Sequence, residues 1–321
     1  MMQSVTLTQS TDSVLMVRPR RFYPNPETAS DNAFQARVDC GVDELSRVAR
    51  KEFDAAVQKL QAAGVNVHVF EDTARPEKPD AVFPNNWIST HHDGRIVFFP
   101  MYSALRRRER RQDIVEELRK HYRVTEVIDY SAFEDAGCCL EGTGSLVFDH
   151  LNKIVYVSLS NRSNPKVIQR FADDFSYEPV TFTSIGSNGQ PIYHTNVMMC
   201  IGTVFAMVGL EMIRDKTERQ QVRARLEKTG KEIVELSADQ IANFAGNAIE
   251  LHNKDGAKVL VLSSRAARAL AEQQRERLSR YARLVPLELP TIELGGGSAR
   301  CMIATIHLPR QLSWRSVNSI E

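Results

Sequence analysis

The sequence lacks an excess of charge of either sign. Lys and Arg together number 41 and Asp and Glu 40, so the formal net charge of the 321-residue chain is +1. Such a chain has no overall field to attract a polyanion, which argues against nucleic acid or an anionic membrane as partner. Glycine and proline, at 16 and 13 residues, are too few for a collagen-like or low-complexity chain. The composition indicates a globular protein.

Cysteine is scarce and is not spaced for metal binding. The cysteines, Cys40, Cys138, Cys139, Cys200 and Cys301, are odd in number and contain no CxxC pair. This set predicts reduced thiols, with no zinc site or redox pair. No apolar run approaches the roughly 18 residues of a membrane span, and the polar N-terminal segment does not resemble a secretion signal. We therefore expect a cytoplasmic enzyme or binding protein that does not associate with membranes.

Short β-rich runs alternate with longer amphipathic stretches, which predicts a mixed α/β architecture. Roughly five blocks, each with strands flanking a helix, repeat along the chain at a spacing of about 50 to 65 residues. This repetition favours small sheets arranged radially, and a doubly wound sheet is the alternative. Because no Pro-, Gly- or Ser-rich linker divides the chain, residues 1–321 are interpreted as one domain.

The predicted elements follow from this pattern. Strands are predicted over residues 13–18, 65–70, 95–100, 124–129, 153–158, 179–182, 197–208, 232–235, 258–262, 284–288 and 302–307. Helices are predicted over residues 43–63, 103–121, 164–175, 213–228, 237–244 and 263–278. The basic run Arg106–Arg111 falls in one of these helices, and it is interpreted as a solvent-exposed face.

A glycine-rich turn presents a cysteine at the start of a predicted strand. Residues 295–302 read GGGSARCM, and glycines allow the backbone to approach a ligand closely. Cys301 is therefore a candidate nucleophile, and the neighbouring Arg300 is expected to favour the reactive thiolate. The alternative is an inert core cysteine. A phosphate-binding loop does not fit, because no Lys-Ser/Thr pair follows and the glycines precede a strand.

Three further segments carry polar residues beside glycine, proline or aromatic residues. In IYHTNVMMC, His194 and Asn196 lie two residues apart, so an extended backbone places them on one face. The run PDAVFPNNWIST contains Asp80, with two asparagines following it, and CLEGTGSLVFD contains Glu141. Each segment alone is as readily explained by packing, capping or turns. Together they offer hydrogen-bond partners for a polar, planar ligand.

Taken in chain order, PDAVFPNNW, LEGTG, YHTN and GGGSARCM resemble the signatures of the guanidino-group-modifying superfamily, which has the amidinotransferase or pentein fold. The superfamily includes arginine deiminases, dimethylarginine dimethylaminohydrolases, agmatine deiminases, succinylarginine dihydrolases and amidinotransferases. The chain most resembles the branch of citrulline-utilisation hydrolases, which is related to the dimethylarginine hydrolases. The resemblance implies a five-bladed α/β propeller of ββαβ modules around a central substrate pocket.

The resemblance also implies roles for individual residues. Cys301 matches the nucleophile, His194 the general acid and base, and Glu141 the carboxylate that pairs with the histidine or the substrate. Asp80 matches the acid that holds the substrate nitrogens. Asn196 and Arg300 are further candidates for substrate binding. No metal or organic cofactor is expected for this chemistry.

The chain departs from the family pattern after Asp80. Asn86 stands where related enzymes carry a second aspartate, and Asn85 where a glutamate is common. A cationic guanidinium is well served by buried carboxylates, whereas amides both donate and accept hydrogen bonds. We therefore expect a neutral ureido substrate such as citrulline to be at least as suitable as arginine.

The expected reaction is hydrolysis of a C–N bond in a guanidino or ureido amino acid (arginine, citrulline or a methylarginine) through a covalent Cys301 intermediate. An amidinotransferase with an amine acceptor and a non-catalytic binding protein of the same fold are the alternatives. The polar segment Phe22–Gln35 is interpreted either as a loop over the pocket, with Asn32 and Gln35 contacting the α-amino acid end of the substrate, or as an ordered surface loop, which is the favoured alternative. Asn247 is expected either to line the site or to cap a strand. A homo-oligomer is possible.

Overall fold

The computed structural model describes residues 7–36, 40–186 and 189–311. The strands are β1 (Ser13–Arg18), β2 (Asn66–Glu71), β3 (Ile88–Thr90), β4 (Arg95–Phe98), β5 (Glu126–Asp129), β6 (Val147–Asp149), β7 (Ile154–Ser158), β8 (Glu178–Phe182), β9 (Met199–Ile201), β10 (Phe205–Val208), β11 (Glu232–Glu235), β12 (Ile249–His252), β13 (Lys258–Ser263), β14 (Arg283–Leu287) and β15 (Ala304–Thr305). The helices are α1 (Val42–Ala62), α2 (Ala104–Arg107), α3 (Gln112–His121), α4 (Gly142–Ser145), α5 (Pro165–Phe175), α6 (Lys216–Lys228), α7 (Ala238–Ala242), α8 (Ser264–Ala269) and α9 (Glu272–Ser279).

The strands of these described residues form five three-stranded sheets with one repeated topology. The orders are β15-β1-β2, β3-β4-β5, β6-β7-β8, β9-β10-β11 and β12-β13-β14. In each sheet the first two strands are antiparallel, and the third runs parallel to the middle strand after a helical crossover. A parallel pair requires such a crossover. The predicted propeller of ββαβ modules is confirmed, and the doubly wound sheet is wrong.

Strands from the two ends of the described chain close the ring. In the first sheet, β15 pairs with β1 through Val14 opposite Thr305 and Leu15 opposite Ala304. The first strands of neighbouring sheets adjoin one another: β15 lies beside β3, β6 beside β9, and β9 beside β12. These strands surround the axis, so the loops at their ends converge there.

Local sequence explains where the crossover helices begin and end. Asn164 caps α5 by accepting a hydrogen bond from the Lys166 N–H, and Pro165 occupies the first helical position. The helix stops at Ser176, which has left-handed backbone geometry. Asp215 caps α6 in the same way. The apolar faces of these helices pack on their own sheets, which fixes the geometry of each module.

The structure corrects several predicted elements. The strand predicted over residues 197–208 is the hairpin β9–β10, which turns at Gly202 where the Phe205 ring leaves no room for a side chain. The helices predicted over residues 103–121 and 263–278 are each broken into two. Three strands were not predicted: β3, β6 and β12. They are only three or four residues long and face the axis almost wholly buried, so they show no polar alternation.

Four histidines pack together beside the axis. The rings of His92 and His307 have centroids 4.5 Å apart, those of His150 and His307 are 4.4 Å apart, and His91 stacks on Phe175 at 4.1 Å. Burial lowers the pKa of all four histidines, that of His92 to about 4. The folded protein therefore holds these rings neutral at pH 7.

This cluster predicts a loss of stability in mild acid. Below the ordinary histidine pKa of about 6.5, these histidines bind protons in the unfolded chain but stay neutral in the folded chain. Stability is then lost as the pH falls from about 6.5 towards the lowered folded values, by at most about 1.4 kcal/mol per pH unit and per histidine. Thermal unfolding measured from pH 7.5 to 5 should show a falling Tm. The slope should be shallower in His92→Gln, whereas the same change at the exposed His121 serves as the control; equal slopes in wild type and His92→Gln would contradict the account.

Candidate functional site

The glycine-rich turn places the Cys301 thiol at the bottom of a buried pocket. The turn follows a short 3-10 helix, Ile292–Gly295, and Gly296 has a φ of +83°. A Cβ on Gly296 would stand 2.3 Å from Asn32 Nδ2, and one on Gly297 would stand 2.8 Å from the Phe83 ring. Glycine is therefore required at both positions, because other parts of the pocket wall approach the backbone here.

Two amide groups are directed at the thiol. Asn247 Nδ2 lies 3.3 Å from Cys301 Sγ, and Asn196 Nδ2 lies 3.5 Å from it. Asn247 is itself fixed, since its Nδ2 also donates to the Asn196 carbonyl at 3.0 Å and its Oδ1 accepts from the Arg300 N–H at 3.1 Å. N–H donors aimed at a sulfur favour its negatively charged form. Asn196 thus contacts the thiol, and Asn247, for which two roles were considered, belongs to the site.

His194 and Glu141 form a buried pair. His194 Nε2 lies 2.8 Å from Glu141 Oε2, and the Tyr102 backbone N–H donates to Glu141 Oε1 at 3.0 Å. Burial alone would raise the pKa of Glu141, but the charge of Arg162 and the hydrogen bond with His194 lower it well below its usual range. Burial lowers the pKa of His194 to about 4, against the opposing effect of Glu141. At pH 7 the pair is therefore a carboxylate and a neutral imidazole.

The LEGTG turn fits closely around this histidine. Gly142 has a φ of +43°, and a Cβ on it would stand 2.5 Å from the Asn85 carbonyl oxygen. A Cβ on Gly144 would stand 2.2 Å from Asn86 Nδ2 and 2.8 Å from His194 Nδ1. Glycine is therefore required at both positions, because a side chain there would push Glu141, His194 and Asn86 apart.

Asp80 lies on another wall of the pocket. Its Oδ2 accepts a hydrogen bond from Asn25 Nδ2 at 2.9 Å and lies 3.6 Å from Arg106 Nε. Burial raises the pKa of Asp80, and the positive charge of Arg106 acts in the opposite direction. The carboxylate is thus available to a ligand and partly balanced by the protein.

Two buried arginines complete the site, and the sequence did not predict them. Arg106 forms paired hydrogen bonds with Glu109 at 2.9 Å, and its Nη1 donates to Asn86 Oδ1 at 3.0 Å. The interpretation of the basic run as a solvent-exposed face is wrong for Arg106 and Glu109, whose residues are 3% and 2% exposed. Buried charges occur in pairs, and Glu109 three residues after Arg106 is the one sequence signal of this pairing.

Arg162 follows β7 and joins the site to the segment Phe22–Gln35. It pairs with Asp31 at 2.6 and 3.1 Å, lies 3.4 Å from Glu141, and stacks over the Tyr193 ring at 4.6 Å. Asn32 of this segment lines the pocket. Gln35 instead holds the segment together by donating to the Asn25 carbonyl at 2.9 Å.

These groups enclose a pocket of about 270 Å³. Its lining residues are Thr28, Asn32, Asp80, Phe83, Asn86, Arg106, Arg162, Tyr193, His194, Gly295, Gly297 and Cys301. It brings together a thiol, an imidazole with its carboxylate, a second carboxylate and two guanidinium groups. Such a pocket can bind a ligand that carries an anionic group together with cationic or amide groups.

Four predicted site residues do not line this pocket. Glu141 and Asn196 reach it through their contacts with His194 and Cys301, whereas Asn85 and Arg300 do not. Both polar atoms of the Asn85 side chain are buried, and neither has a hydrogen-bond partner among the described residues. The Arg300 side chain turns away from Cys301 into a separate cavity and donates to the Ile303 carbonyl at 2.6 Å. In this turn the side chains of Cys301 and Arg300 point to opposite sides. The sequence spacing does not show which of the two faces the pocket.

Searches of the described ranges for two other kinds of feature were negative. In residues 7–36, 40–186 and 189–311, no group of three or more His, Cys, Asp or Glu side chains is arranged to hold a metal ion. No helix in these ranges has the length and apolar character needed to cross a membrane.

Known structures share this fold. The N-terminal domain of ArgZ, an arginine dihydrolase from cyanobacteria, superposes with a TM-score of 0.71 at 17% identity, covering 92% of this chain and 98% of that one. A dimethylarginine dimethylaminohydrolase variant carrying an S-methyl-L-thiocitrulline adduct gives 0.62 at 14% identity, covering 92% and 99%. AgrE in complex with ornithine and NAD+ gives 0.71 at 15% identity, covering 95% and 40%. The chain spans only 41% of full-length ArgZ. A search of curated proteins found no match.

The ring of five sheets is the pentein fold, which these structures share. The sequence profile described as "N,N dimethylarginine dimethylhydrolase, eukaryotic" matches residues 18–308. The chain therefore belongs to this family of hydrolases.

The close fit around Gly144 yields a prediction. In Gly144→Ala the new methyl group would displace His194 Nδ1 and Asn86 Nδ2 by roughly 1 Å, and a shift of that size costs about 100-fold in rate. The expected result is a fall in kcat of that order in a protein that still folds, as judged by circular dichroism. Gly41→Ala is the matched control, because a Cβ there meets nothing within 4 Å. Unchanged turnover in Gly144→Ala would mean that this part of the pocket takes no part in the reaction.

Proposed function

We propose that this protein hydrolyses a C–N bond of a guanidino or ureido amino acid through a covalent intermediate on Cys301. The observation that carries the proposal is the convergence of the Cys301 thiol, the His194–Glu141 pair and the Asp80 carboxylate on one buried pocket. A nucleophile, a general base with its orienting carboxylate, and a group that holds substrate N–H donors are the parts that this reaction needs. Membership of the hydrolase family supports it.

In the first step the neutral His194 takes the Cys301 proton, and the thiolate attacks the planar carbon of the substrate. A C–S bond forms as the π electrons move to a heteroatom. When they return, a C–N bond breaks, and the imidazolium gives its proton to the departing nitrogen, which leaves as ammonia or an amine. Because burial lowers the pKa of His194, the ring starts neutral and can accept the thiol proton, while its hydrogen bond with Glu141 acts in the opposite direction and favours the protonated ring. Glu141 stabilises the imidazolium while it carries that proton.

In the second step water replaces the nitrogen. His194, neutral again, removes a proton from water while the oxygen attacks the same carbon. Collapse of the adduct breaks the C–S bond, and the proton on His194 returns to the sulfur. A guanidino substrate gives a ureido product by this route. A ureido substrate gives a carbamate, which decomposes to an amine and carbon dioxide.

The orientation of Asn86 favours a ureido group. Its Oδ1 accepts from Arg106 Nη1 at 3.0 Å, which fixes Nδ2 as the group that remains for a ligand. Nδ2 is buried, and it has no protein partner in the described part of the chain. A buried donor without a partner costs about 1–3 kcal/mol, and a ligand oxygen would remove that cost. A ureido group has such an oxygen, whereas a guanidinium has only donors. We therefore propose citrulline or a related ureido compound as a substrate.

The two guanidinium groups are proposed to recognise the other end of the substrate. Arg106 and Arg162 both line the pocket. The forks of these guanidinium groups are already paired with Glu109 and Asp31, so each is proposed to contact the substrate through the remaining N–H of Nη1. An α-carboxylate is the anionic group common to free amino acids. Asp31 belongs to the segment Phe22–Gln35 and pairs with Arg162. The segment is therefore connected to the residue proposed to contact the α-carboxylate.

Replacement of the nucleophile tests the reaction. In Cys301→Ser the poorer nucleophile should reduce turnover of citrulline or arginine at least about 1,000-fold. The matched control Cys138→Ser, at a partly buried cysteine outside the pocket, should retain activity. Ammonia release and amino-acid products from a panel of arginine, citrulline, methylated arginines, agmatine and succinylarginine provide the measurement. Substantial turnover by Cys301→Ser would refute the covalent mechanism.

The amide at position 86 gives a specificity prediction. In Asn86→Asp a carboxylate would repel a ureido oxygen and attract a guanidinium. The ratio of kcat/KM for arginine to that for citrulline should rise at least about tenfold. Asn164→Asp is the matched control, because Asp caps a helix as well as Asn does and α5 lies outside the pocket. An unchanged ratio, or a strong wild-type preference for arginine, would contradict the ureido assignment.

Product analysis with and without an added amine distinguishes hydrolysis from amidino transfer. We propose water as the acceptor because the family to which the chain belongs is named for hydrolysis. Products should then be the same in both reactions. A new guanidino compound formed from the added amine would instead identify an amidinotransferase.

A further inference from the structure

A second cavity lies on the axis of the ring, separate from the pocket that contains Cys301. It measures about 470 Å³ and is lined by residues of β6, β9, β12 and β15, the strands that surround the axis. Among the described residues, the two cavities have no lining residue in common. Arg300 lines the axial cavity while Cys301 lines the other, so one peptide link separates them.

The Arg300 guanidinium in this cavity carries a charge that the protein does not balance. Its one hydrogen bond from the side chain runs from Nη1 to the Ile303 carbonyl at 2.6 Å. In the ranges that the structure describes, no carboxylate lies within 4.0 Å of it. Burial lowers its pKa to about 10. Charges largely removed from water are normally paired, so this part-buried, unpaired guanidinium facing a cavity indicates a place for an anion.

A second polar group in the cavity lacks a partner as well. His307 is 7% exposed, and its Nδ1 has no hydrogen-bond partner in the described part of the chain. Its ring packs 4.4 Å from that of His150, whose Nδ1 is taken by the Tyr177 hydroxyl at 2.7 Å. The His307 imidazole can therefore present an N–H to a ligand beside Arg300.

The acidic residue that lines the cavity is already engaged. Glu250 accepts hydrogen bonds from the Thr203 N–H at 3.0 Å and from the Thr203 hydroxyl, and it lies 3.9 Å from Lys258. Its charge is thus directed away from Arg300 and is balanced by other groups. An anion in the axial cavity would meet Arg300 and His307 without displacing a protein carboxylate.

We propose that the axial cavity binds a small planar oxyanion, such as a carboxylate, nitrate or bicarbonate, and that this ligand slows the reaction of Cys301. The fork of a guanidinium matches the two oxygens of such an ion. The backbone N–H of Arg300 is bonded to Asn247, whose Nδ2 contacts the thiol. A bound anion would balance the positive charge next to Cys301 and so reduce the support for its thiolate. The effect on Cys301 rests on its proposed role as nucleophile, whereas anion binding at Arg300 is measured independently of that role.

Binding is tested by thermal unfolding with increasing sodium formate, nitrate and bicarbonate, titrated separately to distinguish a carboxylate from a mineral oxyanion. Wild type, Arg162→Gln and the exposed-site control Arg108→Gln should show the same saturable rise in Tm with at least one of these ions. In Arg300→Gln the apparent Kd should weaken at least about tenfold. Arg300→Lys, which keeps the charge but loses the fork, should also bind more weakly.

Three results would overturn binding: no rise in wild type, an undiminished rise in Arg300→Gln or Arg300→Lys, or a rise lost in Arg162→Gln, which would place the ion in the substrate pocket. The effect on Cys301 is measured by the rate of its alkylation with iodoacetamide. That rate should fall as the bound ion saturates in wild type and stay constant in Arg300→Gln. Binding without any change in the alkylation rate would overturn the regulatory part of the proposal.

Discussion

The site depends on one buried carboxylate. Glu141 has no exposed surface, yet it stays ionised because Arg162 lies 3.4 Å and Arg106 3.8 Å from it and the Tyr102 N–H donates to it. It in turn orients His194 at 2.8 Å. An ion buried in this way is stable only while its partners remain in place. Those partners come from separate modules of the ring, so the closed propeller and the chemistry of the pocket require each other.

The sequence predicted the features that arise from local pattern. The alternation of strands and helices predicted the five modules. The resemblance to the guanidino-group-modifying superfamily, carried by the order of the glycine-flanked motifs, implied that Cys301, His194 and Glu141 meet in one site. Asp80 and Asn86 also line the pocket where the resemblance implied. The polarity and prolines of the segment Phe22–Gln35 excluded a core element, but the favoured interpretation was a surface loop, and the structure places Asn32 in the pocket lining.

Features that arise from distant pairing were not predictable from one sequence. Arg106 resembles the other arginines of its run, and only burial against Glu109 and Asn86 distinguishes it. Arg162 pairs with Asp31, a residue 131 positions away. Adjacent residues of the tight turn after the glycines direct their side chains to opposite sides. The sequence therefore does not show whether Arg300 or Cys301 faces the pocket. Three of the axial strands, β3, β6 and β12, were missed for a related reason: they are short and almost wholly buried, so their sequences contain no periodic signal.

The central claim is that Cys301 is the nucleophile of this pocket, and trapping its adduct tests it most directly. S-methyl-L-thiocitrulline is a suitable probe, because its methanethiolate leaving group needs no proton from His194. In His194→Gly the adduct should form more slowly, because the thiol must lose its proton to solvent, and it should then persist, since the base for the water step is absent. Peptide mass mapping should locate the mass of the probe less methanethiol on Cys301 and on none of the other four cysteines. A folded His194→Gly protein with no adduct, or with the adduct on a different cysteine, would contradict the account.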